Sequence, residues 1–380
     1  MSRVALVLIL GLLLAPAVFF LLILASDGAS ASGFRKPVIY TAGHSPNCVT
    51  AGDFNFDGFI DVAATNALSN DVSIFLGNGD GTLQAAVNYP VGKSPGCLAY
   101  VQDRGPGMPL DLVVSNTADN TVSVLLNNGD GTFQPAVNYG VGTGTAPIGI
   151  AGIDTTFDGF VDFVVANSTG GTNNAGNVAV LVANGDGTFQ PAVNYDTQGT
   201  GPLAILESDF QLPKLSADLA VANSVSNDVT VLLNDGTGKF AVSSVTPVGT
   251  SPSGLSGEGL YTTNLIVSNF GSDNLTYLFG NNAGGFQHAK NYAAGRNPSA
   301  VVDTSLNPGS LSDLAVTNEG DNAVGVYLGR LHLPDFRKPK NFPTCSSPKS
   351  ITAADLNLDH RLDLIVACAE GVGVMLYTGP

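Results

Sequence analysis

The chain has 380 residues, of which 15 are Lys or Arg and 31 are Asp or Glu, so that its formal net charge is −16. An acidic surface repels phosphate backbones, and this balance argues against a nucleic acid partner. The sequence contains no phosphate-binding loop between a strand and a helix, no HExxH and no GxSxG, and it therefore shows no assembled catalytic motif.

The N-terminus carries an uncharged apolar run from Val4 to Ala25. This run exceeds the core of a usual signal peptide, about 7–15 residues, and reaches the about 20 residues needed to span a bilayer. Ala29-Ser-Ala31 offers a small-residue cleavage site. We therefore divide the chain into residues 1–25, a signal peptide or membrane anchor, residues 26–33, a linker or cleavage region, and residues 34–380, the folded domain. Both alternatives predict export, with the domain secreted or held at the cell surface.

A short motif, an aspartate or asparagine followed by four apolar or small residues, recurs seven times at steps of 46 to 56 residues. The copies begin at Asp61, Asp111, Asp162, Asp218, Asn264, Asp313 and Asp363. Each is followed by a second run rich in β-branched residues, such as Val72–Leu76, and in most copies by a Gly-rich turn and a further strand, such as Phe133–Tyr139. Four short strands in about 50 residues are typical of a propeller blade. The sequence thus predicts an all-β fold, a seven-bladed β-propeller of four-stranded blades.

The two ends of the domain complement each other. The seventh repeat stops at Pro380 after its third strand, whereas Phe34–Tyr40 has the pattern of a fourth strand and matches Phe336–Phe342 of the sixth repeat. We therefore predict a ring closed by an N-terminal strand that pairs into the last blade, which leaves only short, protected sheet edges. The alternative is an open repeat array.

Four cysteines occupy related places in the repeats. Cys345 precedes the first strand of blade seven and Cys368 ends its second strand, while Cys48 and Cys97 follow equivalent prolines at the start of adjacent innermost strands. Because export permits disulfides, we predict the pairs Cys345–Cys368 and Cys48–Cys97 among the three possible pairings. Buried free thiols are the alternative, above all for Cys48 and Cys97.

Acidic loops precede the repeated aspartate in three blades. Their sequences are Asp53-Phe-Asn55-Phe-Asp57-Gly-Phe-Ile-Asp61 in blade one, Asp154-Thr-Thr156-Phe-Asp158-Gly-Phe-Val-Asp162 in blade three and Asp355-Leu-Asn357-Leu-Asp359-His-Arg-Leu-Asp363 in blade seven. Oxygen side chains at positions one, three, five and nine, with a backbone carbonyl at position seven, can surround a hard cation such as Ca²⁺. Polar turns capped by Asx hydrogen bonds are the alternative. The other blades have lost the pattern, and blade two retains only Asp103-Arg-Gly-Pro-Gly.

These loops, together with the Asn-Gly-Asp-Gly-Thr-Phe turns, resemble the FG-GAP/VCBS repeats of integrin-α-type seven-bladed propellers, over about Phe34 to Pro380. The resemblance implies about three structural Ca²⁺ sites, an extracytoplasmic location and a role in adhesion or ligand binding. The ligands that it implies are Asp53, Asn55, Asp57, Asp61 and the Phe59 carbonyl; Asp154, Thr156, Asp158, Asp162 and the Phe160 carbonyl; and Asp355, Asn357, Asp359, Asp363 and the Arg361 carbonyl. Two residues depart from the pattern, since Thr156 is a neutral ligand and His360 replaces a glycine.

The expected function is that of an exported, calcium-binding module for an extracellular protein or glycan, without catalytic residues and without an organic cofactor. We expect a monomer that meets a membrane only through its N-terminal segment. A carbohydrate-active or other hydrolytic propeller is the alternative, because a fold does not fix a function, although the chain has no Trp for sugar stacking. The blade-three insertion, Ser168–Asn177, is interpreted either as a ligand-binding loop or as a flexible spacer.

Overall fold

The computed structural model describes residues 33–379, apart from residues 172–174, 212–216, 258–262, 305, 307–311 and 330–334. In these residues, 28 strands form seven antiparallel sheets of four strands each, accompanied by a short 3-10 turn at Glu319–Asp321. The predicted all-β, seven-bladed propeller is confirmed. Within the same residues, no helix has the length and apolar character needed to cross a bilayer. The predicted signal peptide or anchor and most of the blade-three insertion's tip lie outside the described residues.

The blades follow one another along the chain after strand β1 (Val38–Tyr40). Blade one comprises β2 (Pro46–Gly52), β3 (Asp61–Asn66), β4 (Asp71–Phe75) and β5 (Val87–Pro90). Blade two comprises β6 (Pro95–Val101), β7 (Asp111–Asn116), β8 (Thr121–Leu125) and β9 (Val137–Gly140). Blade three comprises β10 (Pro147–Ile153), β11 (Asp162–Asn167), β12 (Asn177–Leu181) and β13 (Val193–Asp196).

The second half of the ring repeats this order. Blade four comprises β14 (Pro202–Ser208), β15 (Asp218–Asn223), β16 (Asp228–Asn234) and β17 (Phe240–Pro247). Blade five comprises β18 (Pro252–Gly257), β19 (Leu265–Asn269), β20 (Asn274–Gly280) and β21 (Phe286–Ala293). Blade six comprises β22 (Pro298–Thr304), β23 (Asp313–Asn318), β24 (Ala323–Tyr327) and β25 (Lys340–Pro343). Blade seven comprises β26 (Ser350–Ala354), β27 (Asp363–Cys368) and β28 (Gly371–Met375), with β1 as its fourth strand.

Strand β1 closes the ring, as the complementary ends predict. It pairs antiparallel with β28, and Val38 lies opposite Val374. Upstream of β1, the ring of Phe34 packs against Tyr377 at 5.2 Å and against Phe342 of blade six at 5.4 Å between ring centroids. The closing segment therefore contacts two blades, and both ends of the chain contribute to the last sheet.

The core lies between the blades. The second strand of every blade is buried along its whole length, because both of its faces pack against neighbouring sheets. Such strands read in the sequence as continuous apolar runs instead of alternating ones. The outer strands, such as β5, are mostly exposed. Aromatic pairs join neighbouring blades, as Tyr89 of blade one and Phe133 of blade two do at 5.6 Å.

The four cysteines pair as predicted. Cys48 and Cys97 form a disulfide between the innermost strands of blades one and two, with their Cα atoms 5.0 Å apart. Cys345 and Cys368 form a second disulfide in blade seven, with their Cα atoms 5.8 Å apart. The first bridge therefore joins two blades and the second lies within one.

The ring has two ends of different character. We call the end where the innermost strands begin the mouth end; the turns between second and third strands lie there. We call the opposite end the loop end, and it carries the acidic loops and the Asn-Gly-Asp-Gly turns. This division follows from the antiparallel order of the four strands in each sheet.

Candidate functional site

The three acidic loops share one backbone turn. At position four, Phe56, Phe157 and Leu358 all have φ of 59°, which bulky residues rarely adopt. At position six the φ values are 82° for Gly58, 88° for Gly159 and 63° for His360. His360 therefore takes the left-handed conformation that glycine takes in the other two loops.

The same hydrogen bonds hold each of these loops. The carboxylate at position one accepts a bond from the N–H group at position six, in the pairs Asp53–Gly58 at 3.0 Å, Asp154–Gly159 at 2.9 Å and Asp355–His360 at 2.8 Å. The carboxylate at position five accepts a bond from the N–H group at position seven, in the pairs Asp57–Phe59 at 2.8 Å, Asp158–Phe160 at 3.0 Å and Asp359–Arg361 at 3.0 Å. Positions one and five thus converge on one tight turn in all three blades.

The third position completes the predicted oxygen set. Asn55 Oδ1 accepts a bond from the Asp57 N–H group at 3.1 Å, and Asn357 Oδ1 accepts one from Asp359 at 3.0 Å. Thr156 Oγ1 is buried and has no hydrogen-bond partner among the described residues. A buried hydroxyl without a partner is costly, so this oxygen at the third position of the loop fits a ligand that coordinates it.

The ninth position differs from the other four because it is buried under the loop. Asp61 accepts bonds from the N–H groups of Phe54 at 2.9 Å and Gly77 at 2.8 Å. The equivalent bonds of the other two loops are Thr155–Asp162 at 3.0 Å, Ala183–Asp162 at 2.8 Å, Leu356–Asp363 at 3.2 Å and Tyr377–Asp363 at 2.7 Å. Asp218 of blade four makes the same pair of bonds without a calcium-type loop. The aspartate at the ninth position therefore stabilises the blade through the same two backbone hydrogen bonds, whether or not the acidic pattern is present.

Burial governs the protonation of this position. Desolvation raises the pKa of Asp61 and of Asp363 to about 6, and the two N–H bonds on each carboxylate oppose that shift. Burial also raises the pKa of Asp162. A cation close to these carboxylates would favour their charged form.

In blade two, an arginine side chain pairs with the aspartate that corresponds to the ninth position. Arg104 donates to both oxygens of the buried Asp111, from Nε at 2.7 Å and from Nη2 at 2.5 Å. Asp103 occupies the second position of this loop, where blade one has the buried Phe54, because Val101 ends β6 as Gly52 ends β2. Both oxygens of Asp103 are buried without a donor among the described residues, and burial together with the neighbouring Asp111 raises its pKa to about 8.

Across the described residues, no three His, Cys, Asp or Glu side chains converge in a group that could hold a metal ion. The geometry above brings positions one, three and five together, whereas it directs the ninth carboxylate towards backbone donors. Calcium binding at the three loops therefore stays a prediction.

The mouth end carries a cavity of about 610 Å³ that the sequence analysis missed. The innermost strands present their edges to the central channel, so that successive residues line it. The first ring consists of the residue that follows the repeated proline in each blade: Asn47, Gly96, Ile148, Leu203, Ser253, Ser299 and Lys349. In six blades the strand register shifts at this point, which marks a β-bulge. Bulges redirect side chains and often lie beside functional sites.

Two further rings line the cavity below the first. The second ring consists of small residues: Cys48, Cys97, Gly149, Ala204, Gly254, Ala300 and Ser350. The third contributes branched aliphatic side chains: Ile150, Ile205, Leu255 and Val301. The sequence signal for the first ring was the proline at or just before the start of each innermost strand, since this proline recurs while the residue after it varies from blade to blade.

Together these features define a class of protein: a seven-bladed β-propeller with acidic turns at one end of the ring and a lined cavity at the other. Within that class, residues 110–165 match the family model described as FG-GAP-like repeat. Residues 110–165, the stretch of blades two and three that the model matches, therefore carry an FG-GAP-like repeat, in agreement with the resemblance. No curated protein matches the sequence.

Solved propellers of similar shape share little sequence with this chain. BBS1N, solved in complex with ARL6DN, is 14% identical with a TM-score of 0.61, over 90% of this chain and 97% of that one. A putative 6-phosphogluconolactonase from Bacteroides uniformis is 16% identical with a TM-score of 0.62, over 82% and 89%. The periplasmic gluconolactonase PpgL of Pseudomonas aeruginosa is 15% identical with a TM-score of 0.62, over 80% and 86%. At such identities the likeness concerns the fold alone.

Proposed function

We propose that this chain is an exported, calcium-binding propeller that acts as a binding module for an extracellular protein or glycan. The observation that carries the proposal is the structural difference between the two ends of the ring. Three blades share one acidic turn at the loop end, whereas the mouth end offers a lined cavity surrounded by connecting loops. Calcium would stabilise one end, and the other would take the ligand.

The calcium part of the proposal rests on the shared turn. In blade one, Asp53, Asn55 and Asp57 would hold the ion through side-chain oxygens, helped by the Phe59 carbonyl, and the equivalent residues would do so in blades three and seven. The unpartnered Thr156 Oγ1 supports an oxygen-binding ion in blade three. Extracellular modules bind Ca²⁺ with dissociation constants of about 10⁻⁴ to 10⁻³ M, which suits an exported domain.

A hydrolytic propeller is the second candidate. Two of the three solved structures described above are named as a lactonase or a putative lactonase. The cavity of this chain is lined by one acidic and one basic side chain, Glu319 and Lys349. A fold shared at such low identity does not carry an activity with it. Turnover assays must therefore accompany binding assays.

Binding and turnover are tested on the same preparation. The purified chain is applied to glycan and protein arrays with calcium and with chelator, and then incubated with panels of lactones and polysaccharides. We expect a ligand that is bound without being consumed. Turnover that disappears in Lys349→Met or Glu319→Gln would overturn the binding proposal in favour of an enzyme.

Export is tested separately by fractionating the source cells. We expect the chain in an extracytoplasmic fraction with both disulfides formed. A cytoplasmic chain with four reduced cysteines would overturn that part of the proposal, because reducing compartments do not maintain structural disulfides.

A further inference from the structure

We propose that the cavity at the mouth end binds a small amphiphilic anion, with its apolar body inside the cavity and its acidic group at Lys349. The inference rests on the proposed function, a module that takes its ligand at this end, and it adds the chemistry that the cavity itself accepts. Three features of the lining carry it: an apolar interior, an unpaired cation and hydroxyl groups that are already engaged.

The interior of the cavity is apolar and open. Ile150 and Val301 are buried members of the third ring, and Ile205 and Leu255 lie at the same level. The second ring above them contributes mostly Gly, Ala and the Cys48–Cys97 bridge, so that little side-chain volume fills the channel there. Pockets of about 300–1,000 Å³ with apolar walls and few polar groups are typical of small-molecule sites.

Lys349 is the cation of the first ring. Its backbone N–H group donates to the Ala367 carbonyl at 2.9 Å, which fixes the residue beside β27. The side chain is half-buried, and among the described residues no carboxylate lies close enough to pair with its ammonium group. A partly desolvated cation without a counter-ion is unfavourable, and the acidic group of a ligand would supply the missing partner.

Glu319 also lines the mouth, but its carboxylate is engaged elsewhere. Glu319 Oε1 accepts a hydrogen bond from the hydroxyl group of Ser347, two residues before Lys349. Glu319 forms no ion pair with Lys349. The two charges therefore do not neutralise each other by direct contact, and Lys349 keeps its capacity for a ligand.

The serine hydroxyls of the first ring serve the propeller itself. Ser253 Oγ donates to the Pro298 carbonyl at 2.7 Å, and Ser299 Oγ donates to the Pro348 carbonyl at 2.7 Å. Each bond ties one blade to the next. These hydroxyl protons are not available to a hydroxyl-rich sugar, so the cavity favours an apolar body with a single charged group.

The apolar side of the mouth lies on blades three to five. Ile148 and Leu203 are the first-ring residues of blades three and four, and Phe270 lines the cavity from blade five. Val225 stands at the same rim and is 69% exposed. An apolar rim on one side and a lysine on the other match the two parts of an amphiphilic anion.

The test uses three ligands with the same eight-carbon tail: octanoate, octan-1-ol and octyltrimethylammonium. Each is titrated into the purified full chain by isothermal titration calorimetry. We expect octanoate to bind at least about tenfold more tightly than the cationic analogue, equivalent to about 1.4 kcal/mol. Lys349→Met should abolish this preference and weaken octanoate binding by about tenfold, while Glu319→Gln should strengthen it.

Two further variants make the test specific. Lys93→Met removes an exposed lysine that does not line the cavity, and it should leave octanoate binding unchanged. Leu203→Asn should weaken the binding of octanoate and of octan-1-ol alike, because it replaces part of the apolar wall with a polar amide. Thermal melting of every variant shows whether the ring still folds.

The inference is overturned if none of the three ligands binds, if the cationic analogue binds as tightly as octanoate, or if Lys349→Met behaves like Lys93→Met. Failure of octanoate binding together with a positive array result would overturn this inference alone. A failed array result together with octanoate binding that depends on Lys349 would overturn only the macromolecular ligand of the proposed function.

Discussion

Blades two and seven close the same kind of sheet by different means. In blade two, four consecutive strands follow one another and Arg104 pairs with the buried Asp111 under the loop. In blade seven, the fourth strand comes from the other end of the chain, a disulfide joins Cys345 to Cys368, and the arginine of the acidic turn, Arg361, donates to the Gly379 carbonyl. The sheet of blade two is therefore formed by one continuous stretch of sequence, whereas the sheet of blade seven takes a strand from the other end of the domain.

The comparison separates two roles that the resemblance had combined. The ninth-position aspartate fastens the base of the loop in both blades, whether its neighbour is Arg104 or an acidic turn. Only the residues at the first, third and fifth positions distinguish a calcium-type loop from the blade-two loop, which contains Arg104. Removing each partner in turn should reveal which blade depends on it.

The largest effect should come from removing the closing strand. Deleting residues 33–42 exposes the edge of β28 and uncovers Val372 and Val374, which are 0% and 1% exposed in the closed ring. We expect a large loss of stability and aggregation through the free edge. A synthetic peptide of residues 33–43 should restore part of the melting temperature, whereas a scrambled peptide should not. An unchanged melting temperature would contradict the closure.

The next largest effect concerns blade two. Arg104→Met leaves Asp111 buried without its cation, and breaking a buried pair in this way costs about 3–5 kcal/mol. Urea unfolding with and without calcium measures the loss, which should not depend on the ion. Arg296→Met is the control, because the Arg296–Asp321 pair is on the surface and its arginine side chain is 70% exposed. Equal losses of stability from the two substitutions would show that the buried pair contributes no more than the surface pair.

Calcium should stabilise blade seven but not blade two. Binding to the native state alone adds about 2.7 kcal/mol when calcium is 100-fold above its dissociation constant. Asp359→Ala should therefore lower the melting temperature in calcium and reduce the further drop caused by chelator. Gln102→Ala, at the first position of the blade-two loop, should leave the calcium response intact. Metal analysis that finds no calcium in the native chain would contradict this prediction.

The smallest effect should appear in the pH profile. Burial and the neighbouring Asp111 raise the pKa of Asp103 from 3.8 to about 8. The folded chain then holds a proton that the unfolded chain releases near pH 4, so stability falls as pH rises from about 4 to 8. Asp103→Asn does not titrate, so its stability relative to the native chain should rise as the pH increases from 5 to 8 and then level off. Parallel pH profiles of the two proteins would exclude the effect.

Most of the fold was predictable because each local sequence pattern occurs in seven copies. A single run such as Asp61–Asn66 is ambiguous between a strand and part of a helix, but seven copies with the same turns and spacing are not. The closing strand was equally visible, since Phe34 to Tyr40 supplies what the seventh repeat lacks. The pairing of Cys48 with Cys97 followed from equivalent positions in adjacent blades.

The candidate sites were less predictable because they depend on burial and register. From its spacing, Asp61 is predicted to be one more oxygen ligand of its loop. In the structure, both of its carboxylate oxygens accept hydrogen bonds from backbone N–H groups. The placement of Asp103 depends on where β6 ends, which a one-residue difference in loop length conceals. The cavity is lined by residues from all seven blades, and no stretch of sequence brings those residues together.

The bulge at the first-ring residue of six blades has a consequence for protein engineering. The extra residue of a bulge takes no part in ladder pairing, so its identity is only weakly coupled to the hydrogen bonding of the sheet. Positions such as Asn47, Ile148 and Leu203 should therefore accept substitutions more readily than the buried second strands do. A combinatorial library randomised at these ring positions would sample new specificities on an unchanged scaffold.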